Sequence, residues 1–269
     1  MKSKTSFASD NNASVHPKIM EAMLEVNTGH CIAYGDDQYT AEAESIFKDI
    51  FGGDTEVFFV YNGTGANVLG MSQAMRPYHA ILTSDIAHVN VDECAAPEHF
   101  TGGKVVPFPS AHGKISPTVL EGAVHALGFE HAAQPRVLSI TQATEVGTVY
   151  RPSEVLELAD FAHRNAMFFH MDGARIANAA VSLRKGLREI SRDLGVDVLS
   201  FGGSKNGMMF GEAVLFFRPE LAEGFRYARK QGMQLASKMR YISAQFKALL
   251  TDDLWKENAR RANQLAKEL

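Results

Sequence analysis

Short apolar runs alternate with stretches of helical spacing along this 269-residue chain. Between Pro17 and Asn27, Ile19, Met20, Met23 and Leu24 recur at intervals that put one stripe on one side of a helix, and residues 40–51 predict a second helix. The run VFFVY at 57–61 is β-branched and aromatic, too short for a helix, and closed by Asn62-Gly63. It predicts a strand, with TGANVLGMSQAM behind it as a helix. AILTS (80–84), KVVPF (104–108), RVLSI (136–140), MFFHM (167–171), DVLSF (197–201) and EAVLFF (212–217) repeat the strand pattern. Residues 117–127, with Ser116 placed to cap and Pro117 in the first turn, and residues 152–165 predict helices. Short buried strands alternating with helices predict an α/β domain on a mostly parallel sheet. From Pro219 onward the pattern is helical and closes in the charged stretch WKENARRANQLAKEL, which reads either as a terminal helix or as one leading into a further domain.

Composition narrows the function classes. Hydrophobic residues are 45% and charged residues 22%, the balance of a chain that buries a core. The net charge is −4, from 27 basic and 31 acidic residues with no Lys/Arg block, so nucleic acid is not an expected partner. No apolar run reaches the roughly 18 residues of a membrane span, and the N-terminus turns polar at once, without the apolar core of a secretory signal. Cys31 and Cys94 form no disulfide framework and no zinc spacing, so no metal is expected and a reducing, cytoplasmic location is. Cys94, with no basic neighbour in sequence, reads as a buried, unreactive thiol. An enzyme fits this profile.

In open α/β sheets ligands sit beyond the carboxyl ends of the strands, and three strand ends here carry suggestive chemistry. At Tyr61-Asn62-Gly63-Thr64-Gly65-Ala66-Asn67 a glycine turn opens a helix, whose free N–H groups and Thr64 hydroxyl would suit a phosphate. The motif is not a Walker loop, and Val68 stands where a dinucleotide fingerprint has its third glycine, so a plain tight turn is the alternative. At His170-Met171-Asp172-Gly173-Ala174-Arg175 a carboxylate could pair with a protonated ring nitrogen, and the arginine could grip a substrate carboxylate; a helix cap and a structural ion pair are the alternatives. At Gly202-Gly203-Ser204-Lys205 a lysine follows a strand among small residues, where it could form a Schiff base or simply stand in an exposed loop. Phosphate cradle, carboxylate and lysine, in that order, supply what pyridoxal 5′-phosphate requires.

At these residues the chain resembles the fold-type I pyridoxal-phosphate enzymes, and within their β-eliminating lyase branch the low-specificity L-threonine aldolases. The resemblance is carried by FASDNN (7–12), AYGDDQYTAEAE (33–44), YNGTGAN (61–67), AHVNVDECAAPE (87–98), ITQATEVGTVYRP (140–152), HMDGARIANA (170–179), FGGSKNGMMFGEA (201–213) and KQGMQLASKMRYISAQF (230–246). It implies Lys205 as the Schiff-base lysine, Asp172 as the partner of the pyridine nitrogen, Gly63 and Thr64 as the phosphate cradle, and His88 stacked on the cofactor ring. Ser9 and Arg175 would hold the substrate carboxylate, and His131 would lie near the substrate hydroxyl. His88, His131 or a bound water would serve as base. The implied activity is cleavage of L-threonine, allo-threonine and related β-hydroxy-α-amino acids to glycine and an aldehyde. Another fold-type I enzyme (a β-lyase or an aminotransferase), a nucleotide-binding oxidoreductase and a catalytically silent binding protein are the alternatives. The implied organisation is an N-terminal arm over 1–15, a cofactor-binding large domain over 16–250 with a seven-stranded sheet between helices, and 251–269 as the start of a small C-terminal domain largely missing from this chain. A homodimer or homotetramer is implied, with the loop Tyr34–Asp37 near the subunit contact.

Overall fold

The computed structural model describes residues 6 and 8–268; Phe7, residues 1–5 of the expected arm and Leu269 lie outside the described residues. The seven expected strands are all present: β1 (Glu56–Val60), β2 (His79–Ser84), β3 (Lys104–Phe108), β4 (Gln134–Thr141), β5 (Phe168–Gly173), β6 (Val198–Gly202) and β7 (Glu212–Phe216). They form one sheet in the order β1-β7-β6-β5-β4-β2-β3. β2–β3, β2–β4, β4–β5 and β5–β6 pair parallel, whereas β7 runs antiparallel to both β1 and β6. The connections among the parallel strands are helical, as parallel pairing requires.

Helices α1 (Pro17–Glu25), α2 (Gln38–Phe51), α3 (Gly63–Ser72), α4 (His88–Val91), α5 (Ala96–Thr101), α6 (Pro117–Val124), α7 (Pro152–Arg164) and α8 (Ile176–Leu183) interleave with the strands. The tail holds α9 (Pro219–Ala222), α10 (Phe225–Gln231), α11 (Arg240–Leu250) and α12 (Leu254–Glu268). Pro117 opens α6 as expected, while Ser116 occupies the cap position without a side-chain bond to the helix. No described helix is long and apolar enough to cross a membrane.

Apolar side chains cover both faces of the sheet. On one face Phe47 and Phe51 of α2, Phe59, Phe201 and Phe246 of α11 interlock, with Phe47 edge-on to Phe201 and Phe246 at centroid separations of 5.3 and 5.2 Å. Each such ring contributes roughly 1.5–3 kcal/mol by leaving water. On the other face Ala66 and Leu69 of α3 and Phe225 of α10 pack on Val60, Val198, Val214 and Phe216. In the tail, α12 lies on α8 through a reciprocal amide pair, Asn178 Nδ2 to Asn263 Oδ1 at 2.9 Å and Asn263 Nδ2 to the Asn178 carbonyl at 3.0 Å. Leu254, Trp255 and Ala259 of α12 enter the main core.

Candidate active site

The carboxyl ends of β4, β5 and β6 and the amino ends of α3 and α4 converge on one cleft. Gly63, Asn67, His88, Glu93, Thr141, Glu145, Asp172, Ala174, Arg175 and Lys205 line it. Asp172 is the penultimate residue of β5, which runs two residues further than its apolar run suggests, and is 5% exposed. Its Oδ1 accepts the Ala174 N–H at 2.9 Å and its Oδ2 accepts Asn67 Nδ2 at 2.8 Å. Lys205 stands in the 3₁₀ turn Ser204–Asn206 directly after β6. The chain reaches that turn past the Asp172 loop because Gly202 has no side chain: a Cβ there would lie 2.5 Å from the Ala174 carbonyl oxygen.

The glycine turn after β1 is open and its leading donors are free. Asn62 caps α3 by accepting the Gly65 N–H at 2.8 Å. Among the described residues, neither the N–H groups of Gly63 and Thr64 nor the Thr64 hydroxyl has a protein partner. A Cβ at Gly63 would meet nothing within 4 Å, whereas one at Gly65 would strike the Gln234 side chain at 2.4 Å. Free donors, empty space and the positive end of a ten-residue helix suit a phosphate. Buried Asn67 Oδ1, Glu93 Oε2 and Glu145 Oε2 are left without donors, so the cleft has polar capacity that the described residues do not use. Phosphate cradle, carboxylate and lysine therefore fit pyridoxal 5′-phosphate.

His88 opens α4 with its side chain 37% exposed, and is held from two sides. Its backbone N–H donates to Glu145 Oε1 at 2.8 Å, and Thr141 Oγ1 donates to the same oxygen at 2.7 Å. Its Nδ1 faces Glu93 Oε1 at 2.9 Å. Glu93, its side chain fully buried, also accepts Asn67 Nδ2 at 2.9 Å, so one amide links the carboxylate that holds His88 to that of Asp172. The Glu93 hydrogen bond raises the His88 pKa above 6.5, burial opposes it, the Glu93 and Asp172 charges add to it and Lys205 opposes it. The charged pair is therefore fully present below pH 6.5 and lost as pH rises through the elevated value. Glu93→Gln is expected to lower the midpoint of the His88 ring resonances in an NMR pH titration; an unchanged midpoint would show that Glu93 does not govern this imidazole.

A second polar layer lies beneath. His170 is buried on the same face of β5 as Asp172, between Ser139 Oγ at 2.8 Å from Nδ1 and Ser200 Oγ at 3.0 Å from Nε2. Burial pushes its pKa down and keeps it neutral. Glu212, buried at the start of β7, accepts the Gly203 N–H at 2.8 Å beneath the lysine turn, and burial pushes its pKa up to about 7.

The remaining expected residues lie differently. Arg175 lines the cleft, but its Nε and Nη2 pair with Asp10. Ser9 is exposed outside the cleft lining, and its Oγ accepts the Asn11 N–H at 3.2 Å as the cap of the 3₁₀ turn Asp10–Asn12. His131 stands in the turn region after α6 with a side chain 73% exposed, against Phe129 and Glu130 and away from the cleft lining. Cys94, expected to be buried, is exposed. Cys94 and Ala95 both take left-handed backbone between α4 and α5, and this turn buries Glu93 and faces Cys94 outward. Among the described residues, no group of His, Cys, Asp and Glu could hold a metal ion.

The model of one known family, described as beta-eliminating lyase, matches residues 6–269. The chain belongs to the beta-eliminating lyase family. Within it, the chain is 46% identical to a low specificity L-threonine aldolase of Pseudomonas aeruginosa, over 98% of this chain and 76% of that protein. A low specificity L-threonine aldolase of Saccharomyces cerevisiae is 27% identical over 97% of this chain and 67% of its own length. The Leishmania major threonine aldolase superposes with a TM-score of 0.93 at 31% identity, over 98% of this chain and 77% of that one. An aromatic aminotransferase from Pyrococcus horikoshii shares the fold, with a TM-score of 0.71 at 15% identity over 94% of this chain and 69% of that one. This beta-eliminating lyase is thus an α/β enzyme of the lyase class whose sheet is shared with aminotransferases, and its family implies pyridoxal phosphate.

Proposed function

We propose that this enzyme cleaves L-threonine, allo-threonine and related β-hydroxy-α-amino acids to glycine and an aldehyde, with pyridoxal 5′-phosphate as cofactor. The observation that carries the reading is the meeting of Lys205, Asp172, His88 and the open Gly63–Thr64 turn at one cleft of a chain 46% identical to such an aldolase. Bound there, the cofactor supplies an electron sink for the pair left at Cα when a bond to that carbon breaks.

The chain's own residues hold and steer. Gly63 and Thr64 offer their N–H groups and a hydroxyl to the phosphate, Lys205 offers the amine that tethers the aldehyde, and Asp172 keeps the ring nitrogen protonated. Arg175 takes the substrate carboxylate, which fixes the rotation about Cα and so selects which bond is broken. With Glu93 on Nδ1, His88 keeps its proton there and presents Nε2 to the cleft as the atom that can accept the β-hydroxyl proton. The Cα–Cβ bond then breaks, the aldehyde leaves, and Cα is reprotonated to give glycine. His131 lies on the surface of this protomer, outside the cleft lining, so these steps are assigned to His88.

The proposal includes a cytoplasmic location, residues 16–250 as the cofactor-binding domain with 251–269 opening a small one, and a homodimer or homotetramer. Leu24, Ile32, Tyr34 and Met233 expose apolar surface on and near the loop that precedes α2, which supports self-association. A light-scattering mass near 29.5 kDa for active enzyme would exclude the oligomer. Product analysis tests the activity: acetaldehyde and glycine in equal amounts from L-threonine support an aldolase, whereas ammonia and a keto acid would make the enzyme a β-lyase.

A further inference from the structure

The side-on edge of Arg175 is already occupied. Its Nε donates to Asp10 Oδ2 at 2.7 Å and its Nη2 to Asp10 Oδ1 at 3.2 Å, a two-point carboxylate fork. Planar guanidinium has two such edges. The second, formed by Nη1 and the other Nη2 proton, has no partner among the described residues. Arg175 lines the cleft and Asp10 stands outside its lining. With the Nε/Nη2 edge taken by Asp10, the Nη1/Nη2 edge is the one left for a ligand in the cleft.

Asp10 also belongs to the N-terminal segment that crosses the lysine turn. Six residues on, the His16 N–H donates to the Gly207 carbonyl at 2.9 Å, directly after the turn that bears Lys205. The segment is fastened at both ends, to Arg175 by Asp10 and to Gly207 by His16.

We infer that Asp10 is a positioning residue for substrate. It holds Arg175 by one edge so that only the end-on Nη1/Nη2 edge meets the amino-acid carboxylate, already in place before substrate arrives. The inference rests on the reading of Arg175 as the carboxylate-binding group. As an ion pair about one-third exposed, the contact adds little to folding stability. Its effect lies in sparing the ordering of a long, flexible side chain during binding. The opposing effect is electrostatic: Asp10 offsets the positive charge that attracts the substrate carboxylate. The two effects have opposite signs in a binding measurement, which makes the question decidable.

The experiment is a double-mutant cycle on the holoenzyme with Asp10→Ala, Arg175→Ala and the double variant, titrated with glycine by isothermal calorimetry and assayed with L-threonine. Asp10→Ala is expected to weaken glycine binding by roughly three- to tenfold, the scale of ordering one long side chain. KM should rise accordingly with kcat nearly unchanged, and the effect should vanish in the Arg175→Ala background. A loss that persists in that background would show that Asp10 acts through the arm and not through Arg175, which overturns the inference. So would glycine binding equal to or tighter than wild type in Asp10→Ala while Arg175→Ala binds weakly, and the reading of Arg175 would survive. Unchanged glycine affinity in Arg175→Ala would instead remove the carboxylate role of Arg175, and the inference with it.

Discussion

Lys205→Ala is expected to cut turnover by several orders of magnitude while leaving the protein folded. Lys205 is the one lysine among the residues lining the cleft, so no neighbouring amine can take its place. Its turn is held without help from its side chain. Gly203 N–H donates to Glu212, Asn206 N–H to the Gly203 carbonyl at 3.0 Å, and Asn206 Nδ2 to the Trp255 carbonyl at 3.1 Å. From the other side, Asn258 Nδ2 donates to the Asn206 carbonyl at 2.9 Å. Removing an ammonium that makes no hydrogen bond or ion pair among the described residues should leave thermal unfolding close to wild type. The Gly63–Thr64 cradle is untouched, so added pyridoxal phosphate should still bind, but without the near-visible absorption of the lysine-linked form. Purified variant that keeps both this absorption and wild-type turnover would show that another amine does the work.

The fold was legible because each strand is a short apolar run set off by turn residues, mostly buried in the sheet, with only the edge strand β3 largely uncovered. Direction was not legible. β7 is buried at every position, so nothing in EAVLF tells a parallel strand from the antiparallel one it forms with β1 and β6. The strand ends that carry chemistry were also legible, since Asp172, Lys205 and the Gly63 turn each follow an apolar run. The side chains that join them were not. Asn67 is the one polar side chain in the buried stretch Gly65–Met71 of α3, and its use appears only when β5 brings Asp172 and the turn after α4 brings Glu93 to the same amide. Glu93 stands five residues after His88 in the sequence, but the burial that demands a partner for its charge is visible only in the fold. Asp10 gave no signal, because its partner is 165 residues away. His131 was named from resemblance alone, and its exposed flanks gave no physical reason to place it in a cleft.

Asp172→Asn should separate catalysis from cofactor retention. Its carboxylate sits at the end of β5, 5% exposed, with one N–H on each oxygen from Ala174 and Asn67. Asparagine keeps the shape, but its Nδ2 cannot accept either bond, so one donor loses its acceptor. Stability should fall by about 1–3 kcal/mol, the scale of one buried polar group left unpaired, and denaturant unfolding reads this directly. The larger effect is on chemistry. The negative charge matters most when electron density arrives on the ring whose nitrogen it keeps protonated, and a partner that counts more in the transition state than in the ground state acts on kcat. A fall of roughly 10²–10³-fold in kcat is expected, the scale of losing one preorganised electrostatic partner. Cofactor affinity should fall much less, since the phosphate cradle and Lys205 remain. The assay is run at saturating L-threonine and pyridoxal phosphate, well below the unfolding midpoint, so that lost stability does not enter the rate. A near-normal kcat under those conditions would remove Asp172 from its role as partner of the ring nitrogen and leave it as the group that fixes the Ala174 turn and Asn67.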